Sequence, residues 1–313
     1  MKYIEYVNGL IKEAVARPEH AVLFGQNMNA GSCLGGLTRG FSVKPAGKIW
    51  NSTNAENSLV GFGFGLMLNG AQAGFFMKQM DFLVLGIDHL VNTYNIIRNM
   101  KHQPKEGSFT IAAMVVDSGW EGPQSSLNNF ADICSIAHVP GYAVTNKTDA
   151  DFIVRKHLMQ PGFRILGISQ RLGKTEIIDP GSALEVYGAG EIFKYKSGED
   201  ATLVSFNFSF PQAYELEAKL RKSNIHAAFF NVNSAIATDW TPIKESAKMT
   251  KKIIVVDDSK SVHVAADALL AELCTEVPLV KKIFIKRQLG ENWLHPASDE
   301  FVIDDSLLDT LKG

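Results

Sequence analysis

Cysteine is scarce. Cys33, Cys134 and Cys274 are the three in 313 residues, without a CxxC pair and without zinc-ligand spacing to histidine. That argues against a disulfide framework or a zinc site and reads as buried, inert thiols in a reducing compartment. Long hydrophobic runs are missing too: Gly, Asn, Lys or Asp interrupts each apolar stretch well before the roughly 18 residues a membrane helix needs. Nor is there an excess of charge of one sign. The 31 Lys and Arg stand against 33 Asp and Glu, a net charge of −2, which offers no footprint for nucleic acid or an acidic membrane. The pairs Lys251–Lys252 and Lys281–Lys282 read as solvated surface. The first residues, "MKYIEYVNGLIKEAVARPEH", form an amphipathic helical pattern carrying acids, unlike a signal peptide, so a cytoplasmic protein is expected.

Common catalytic and nucleotide motifs are absent as well. "GFGFGLMLNG", residues 61–70, has no G-x-G-x-x-G in register, because the third position falls on Leu66 or Leu68. Its glycines also lie inside a helical pattern, whereas a pyrophosphate loop needs them between strand and helix. There is no G-x-x-x-x-G-K-[ST] and no G-x-S-x-G. The eight histidines are scattered singly: His89 reads as a helix-surface or interface residue, and His138 as a helix end that suits the dipole. Side chains alone support little chemistry, so a cofactor would have to carry it.

What is present is an alternation. Short apolar strands ("AVLFG", "AGFFMK", "FTIAAMVVD", "YAVTN", "FRILGIS") alternate with helical patterns such as "DFLVLGIDHLVNTYNIIRNM" and "FADICSIAH", and with "DADFIVRKHLM" after an Asp cap. Such alternation implies right-handed βαβ crossovers and a mainly parallel sheet. The pattern dissolves over about 172–200, a Gly-rich candidate linker, and then restarts to the end of the chain. Two α/β domains are expected, 1–185 and 186–313, each with a mainly parallel sheet flanked by helices.

One stretch poses a question. "STNAENSLVGFGFGLMLNG", residues 52–70, sets a lone carboxylate, Glu56, at the entrance of an apolar, glycine-dotted helix. Asn54 or Thr53 could cap that helix, leaving Glu56 as a first-turn acid favoured by the macrodipole. Gly61 and Gly65, four residues apart, form a flat strip whose helix-propensity cost of about 1 kcal/mol each a close contact would offset, so a subunit or domain interface is expected there.

The run "ENSLVGFGFGLMLNGAQAGFFMKQMDFLVLGIDHLVN", residues 56–92, resembles the β subunits of thiamine-diphosphate-dependent 2-oxo-acid dehydrogenases of the pyruvate and branched-chain type, in the wider transketolase-like superfamily. The family pattern E-x-x-I-V-G-x-G-x-G-x-A-x-x-G, then F-A-D-F and D-Q-I-V-N, aligns there without a gap. "FGQNMNAGSCLGGLTRGF", "AHVPGYAVT", "ATLVSF…AYELEAKLRKSNIHAAFFNV" and "KKIIVVDD" extend the likeness over nearly the whole chain. The resemblance implies a pyrimidine-binding domain followed by a transketolase C-terminal-like domain. It implies that Glu56 bonds to a nitrogen of the cofactor's aminopyrimidine ring and favours the imino tautomer, whose exocyclic nitrogen removes the thiazolium C2 proton. It further maps Asn27, Gln79, Met80 and Phe82 to the cofactor pocket and Gln124 or Ser125 to the substrate side. The diphosphate and Mg²⁺ of relatives need a G-D-G followed about 25 to 30 residues on by an Asn pair, which supplies hard oxygen ligands. This chain has no G-D-G, and Asn128–Asn129 read as a cap for "FADICSIAH". The resemblance therefore implies a separate α-type partner that brings the metal, in an α2β2 assembly, with a lipoyl acyltransferase as a further partner.

Three positions depart from the family. Its G-E-D is Gly25-Gln26-Asn27 here; the stacking Phe of F-A-D-F is Gln79, although Asp81 and Phe82 remain; and the active-site His of H-S-Q-S-L has Gln124 or Ser125 in its place. An amide can lie flat on a ring but loses aromatic stacking worth about 1 kcal/mol. Neither Gln nor Ser donates a proton at neutral pH as His does. Three readings stay open: a two-chain enzyme that decarboxylates a 2-oxo acid or passes the carbanion fragment to an acceptor; a split transketolase that moves a two-carbon unit; and a non-catalytic β-like subunit.

Overall fold

The structure is a computed structural model, and it describes residues 1–100, 107–117, 127–237, 239–287 and 303. Helix α1 (Tyr3–Val15) precedes a first sheet made of β1 (Ala21–Gly25), β2 (Lys48–Asn51), β3 (Gln72–Met77), β4 (Ser108–Val115), β5 (Gly141–Val144) and β6 (Gly162–Ser169). The spatial order is β2-β1-β3-β4-β6-β5 and every pairing is parallel. Helices α2 (Glu56–Leu68), α3 (Tyr94–Arg98), α4 (Phe130–Ala137) and α5 (Lys147–His157) supply the crossovers. β4 is buried at all eight positions, so its sequence is apolar apart from the small Ser108 and Thr110.

The second sheet contains β7 (Glu185–Tyr187), β8 (Ile192–Lys196), β9 (Ala201–Phe206), β10 (Ala227–Val232), β11 (Lys252–Asp257) and β12 (Lys281–Lys286), with helices α6 (Phe210–Lys222), α7 (Thr241–Thr250) and α8 (Asp267–Glu276). Its order is β12-β11-β9-β10-β8-β7; β9 to β12 are parallel, and β8 and β7 are antiparallel additions. Both antiparallel strands come from the segment that reads as a linker, because short Gly-separated strands lack the long periodicity that marks them in sequence. One hydrophobic cluster crosses from the first domain (Tyr142, Val144, Ile168) into the second (Phe193, Leu203, Phe229).

Several local expectations are corrected. Helix α2 is capped by neither Thr53 nor Asn54: the cap position is Ala55, without a side-chain bond, and Glu56 is the first helical residue. Residues 81–100 are not one helix. They run through a 3₁₀ segment (Met80–Gly86), a π turn (His89–Thr93) and α3, since Gly86 must lie against Val60 of α2, where a Cβ would come within 2.7 Å of the Val60 side chain. Helix α5 starts earlier than read, at an Asn146 cap. Its side chain accepts from Thr148 N at 2.9 Å and Asp149 N at 3.1 Å, while Asp149 bonds back to Asn146 N at 3.1 Å, forming a capping box. Asn129 holds the cap position of α4 without a side-chain cap bond, and Asn128 turns away to the second domain. The glycines of α2 do not act as one strip. A Cβ on Gly63 would meet the Phe109 ring at 2.2 Å and one on Gly61 the His89 ring at 3.0 Å, whereas Gly65 faces open space.

Candidate functional site

In a parallel α/β sheet, ligands bind beyond the carboxyl ends of the strands, where the chain switches the side to which it moves. In the first sheet β1 connects outward to β2, and β3 connects the other way to β4, so that switch lies between β1 and β3. A pocket opens there, lined by Gln26 after β1, Glu56 and Leu59 of α2, Phe75, Phe76 and Met77 of β3, and Lys78, Gln79 and Phe82 after it. The topology thus brings the entrance of α2 to the ends of two strands that neighbour each other in space but not in sequence.

Glu56 is 6% exposed. Among the described residues its carboxylate makes no hydrogen bond and no ion pair, although Leu59, Phe75, Phe76 and Phe82 share its pocket. A nearly buried carboxylate without a partner is costly unless something else supplies a donor. The first turn of α2 contributes part of that, because its free N–H groups and dipole favour negative charge. Lys78 is the pocket's cation. It is exposed, while its neighbours Met77 and Gln79 are buried, and it forms no ion pair or hydrogen bond among the described residues.

Of the residues that the sequence points to, the structure brings Glu56, Gln79 and Phe82 together in this pocket. Met80 is placed elsewhere: it is fully buried in the hydrophobic cluster with Leu59, Val60 and Leu83, since in a tight 3₁₀ segment adjacent side chains diverge. Asn27 also falls outside the lining. It is exposed at φ +54°, in the turn that leads into the loop after β1, and Gln26 occupies the wall instead. That loop is pinned to β2 by Asn51 Oδ1, which accepts from Met28 N at 2.7 Å. Gln124 and Ser125 lie outside the described residues. Asp81 is buried, and its Oδ1 accepts from Leu127 N at 3.3 Å. Sequence reasoning missed Lys78, which reads there as the end of an apolar strand. Its one signal is that a cation ends the apolar strand "AGFFM".

The carboxyl ends of the two sheets meet in a buried polar seam. Arg171, beyond β6, places Nη2 2.8 Å from Asp258 Oδ2 and 3.4 Å from Asp117 Oδ2. Asn207 Nδ2 donates to Asp258 Oδ1 at 2.9 Å and to Asn128 Oδ1 at 3.0 Å, and Asn128 Nδ2 donates to the Asp258 carbonyl at 3.0 Å. Burial raises the Asp117 carboxyl above its ordinary value, and Arg171 opposes that rise. The second sheet has its own switch point, between β9 and β11, and Asn207 and Asp258 lie at it. Asn128 therefore serves domain docking.

Among the described residues no group of three or more His, Cys, Asp or Glu could hold a metal ion, and no helix is long and apolar enough to cross a membrane.

Known proteins match this arrangement. Residues 190–310 match the family described as transketolase, C-terminal domain. The chain is 20% identical over 259 residues to the pyruvate dehydrogenase E1 component subunit beta, mitochondrial, of Ascaris suum, covering 80% of this chain and 71% of that protein. It is 21% identical over 275 residues to the acetoin:2,6-dichlorophenolindophenol oxidoreductase subunit beta of Cupriavidus necator, covering 83% and 80%. A solved structure titled "Split gene transketolase, inactive beta4 tetramer" superimposes with a TM-score of 0.66 at 17% identity, covering 98% of this chain and 96% of that one. The two-domain α/β fold is shared with that transketolase structure, and its second domain matches the transketolase C-terminal domain family. Over most of its length the chain resembles the beta subunits of a pyruvate dehydrogenase E1 component and of an acetoin oxidoreductase.

Proposed function

We propose that this chain is the β-type half of a two-chain thiamine-diphosphate enzyme that decarboxylates a 2-oxo acid or passes the resulting fragment to an acceptor. The observation that carries the reading is Glu56, a nearly buried carboxylate without a partner among the described residues, in an apolar pocket at the sheet's switch point. The pocket fits the edge of an aromatic heterocycle: Leu59, Phe75, Phe76 and Phe82 offer apolar contact, Gln26 and Gln79 offer amides, and Glu56 offers the one acid. Thiamine diphosphate, when bound, supplies a thiazolium that stabilises negative charge on the fragment left by the leaving group. Glu56 would hold a ring nitrogen and the proton shared with it, the general acid–base role that a carboxyl in an apolar setting suits. Gln79 would lie against the ring face.

Diphosphate and Mg²⁺ ligands would come from an α-type subunit, in an α2β2 assembly, and a lipoyl acyltransferase would serve as acceptor if the reaction is a dehydrogenase's. A split transketolase reading differs in donor, leaving group and acceptor and is separated from this one by turnover of a ketose phosphate.

The test is Glu56→Gln in the complex with the α-type chain. Size and one hydrogen bond persist, but the proton is no longer exchangeable with the ring. C2 hydrogen–deuterium exchange of the bound cofactor should slow about 10²- to 10⁴-fold, while the urea midpoint shifts by no more than the equivalent of about 1 kcal/mol. Equal exchange rates would return Glu56 to a helix-start acid with no chemical role.

A further inference from the structure

We propose that Lys78 holds the carboxylate of a 2-oxo-acid donor and so sets the pocket's preference for anionic over neutral donors; this rests on the reading of Glu56 as the cofactor's acid. Glu56 and Lys78 line one pocket, yet neither pairs with the other or with any other described residue. A nearly buried acid and an exposed ammonium on one pocket's lining offer two separate demands, one for a donor and one for an anion. Residues 73–81 are buried except for Lys78, so its side chain is the one in that run that reaches the solvent. The position is fixed from both sides. Phe76, which precedes it in β3, pairs in register with Gly25, and Met80, which follows it, is locked in the core. Lys78 follows directly on Met77, the last residue of β3, and shares the pocket lining with Glu56.

Place decides which anion. In a 2-oxo acid the carboxylate is bonded directly to the carbonyl carbon that reacts, so it has to be received in the pocket that holds the reacting atoms. The phosphate of a ketose phosphate lies several carbons away and would be received outside that pocket. An ammonium is a compact point charge suited to a single carboxylate. Its attraction belongs to the bound substrate, and the leaving carbon dioxide is neutral, so the interaction favours binding more than the chemical step. Lys78 is on this account a specificity-determining residue.

The experiment uses the complex of this chain with its α-type subunit, with pyruvate as the anionic donor and acetoin as the neutral one. In Lys78→Gln the ratio of kcat/KM for pyruvate to that for acetoin should fall about tenfold or more, chiefly through the KM for pyruvate, as expected for loss of a charged hydrogen bond. Lys78→Arg should recover part of it. A readout independent of turnover is acetylation of Lys78 followed by mass spectrometry: pyruvate should protect the lysine and acetoin should not. An unchanged ratio together with equal labelling would overturn the proposal, as would protection by a ketose phosphate in place of pyruvate. Glu56→Gln with full activity on both donors would overturn the cofactor reading instead, so the two failures are distinguishable.

Discussion

Arg171 Nη2 lies 2.8 Å from Asp258 Oδ2, and this contact joins the carboxyl end of the first sheet to that of the second. Asp258 is fully buried and also accepts from Asn207 Nδ2 and Phe208 N, each at 2.9 Å. Removing one member of a buried pair typically costs about 3–5 kcal/mol, and here Arg287 Nη2, 3.7 Å from Asp258 Oδ2, compensates part of the charge that remains. Arg171→Met should therefore lower the urea midpoint sharply. Arg171→Met with Asp258→Asn should recover part of the loss, because one of the two buried carboxylates that Arg171 faces is then neutral while Asp117 remains. A double variant no better than the single one would show that the seam is held by packing alone.

Arg164 should matter for a different reason. Its guanidinium, 8% exposed, donates to the carbonyls of His157, Gln160 and Pro161, gathering the end of α5 and the turn that leads into β6. Arg164→Met strips charged donors from three carbonyls and should cost about 3 kcal/mol. Lysine should recover only part, since one ammonium lacks the planar fork. Denaturant melts of the three proteins measure this.

His157 predicts an acid-sensitive difference. Its Nε2 bonds the Ala189 carbonyl at 2.6 Å and its ring stacks on Tyr142, and burial lowers it to about 4 from an ordinary 6.5. The unfolded chain therefore takes up a proton at higher pH than the folded one. The stability that depends on neutral His157 is complete above about pH 6.5 and is lost as pH falls toward 4. Asp149, raised by burial to about 6, works in the opposite sense, because there the folded chain takes up the proton first. Comparing wild type with His157→Gln across pH 4–7 isolates the histidine: the stability gap between them should change in favour of the variant toward acid. A gap independent of pH would contradict the assignment.

The glycines of α2 should answer to alanine with opposite signs. Gly63→Ala places a methyl 2.2 Å from Phe109, a ring held by Phe24, Phe64 and Phe163, so the chain should lose about 1–3 kcal/mol. Gly65→Ala meets nothing within 4 Å and should stabilise the isolated chain by about 0.5–1 kcal/mol through helix propensity. If an α-type subunit packs on that face, the same Gly65→Ala should weaken the complex in analytical ultracentrifugation. Unaltered association would remove Gly65 from the interface.

Cofactor affinity should depend on the second chain. Calorimetry with this chain alone should register weak or no Mg²⁺-dependent binding of thiamine diphosphate, and the complex should bind tightly. Tight binding by the isolated chain would contradict the division of the site.

The sequence by itself determined the alternation of strands and helices and the place of Glu56 at the start of α2, because apolar periodicity and the first-turn preference for acids are local properties. It also carried the two-domain organisation, since each run of buried strands is long enough to need its own sheet. Other features were decided by tertiary structure alone. Gln79 and Met80 are adjacent, yet one lines the pocket and the other is sealed in the core, since a 3₁₀ segment packed on α2 sets their directions. Asn128 reads as a cap but bonds Asp258, 130 residues away, and Asn27 reads as a pocket residue but stands exposed beside Gln26. Lys78 shows in sequence only as a cation at the end of an apolar strand; it becomes a pocket residue because β1 and β3 pair across 46 intervening residues, from 26 to 71, and open the switch point beside it. Long-range pairing chooses which side chains converge, and residue order along the chain does not encode that choice locally.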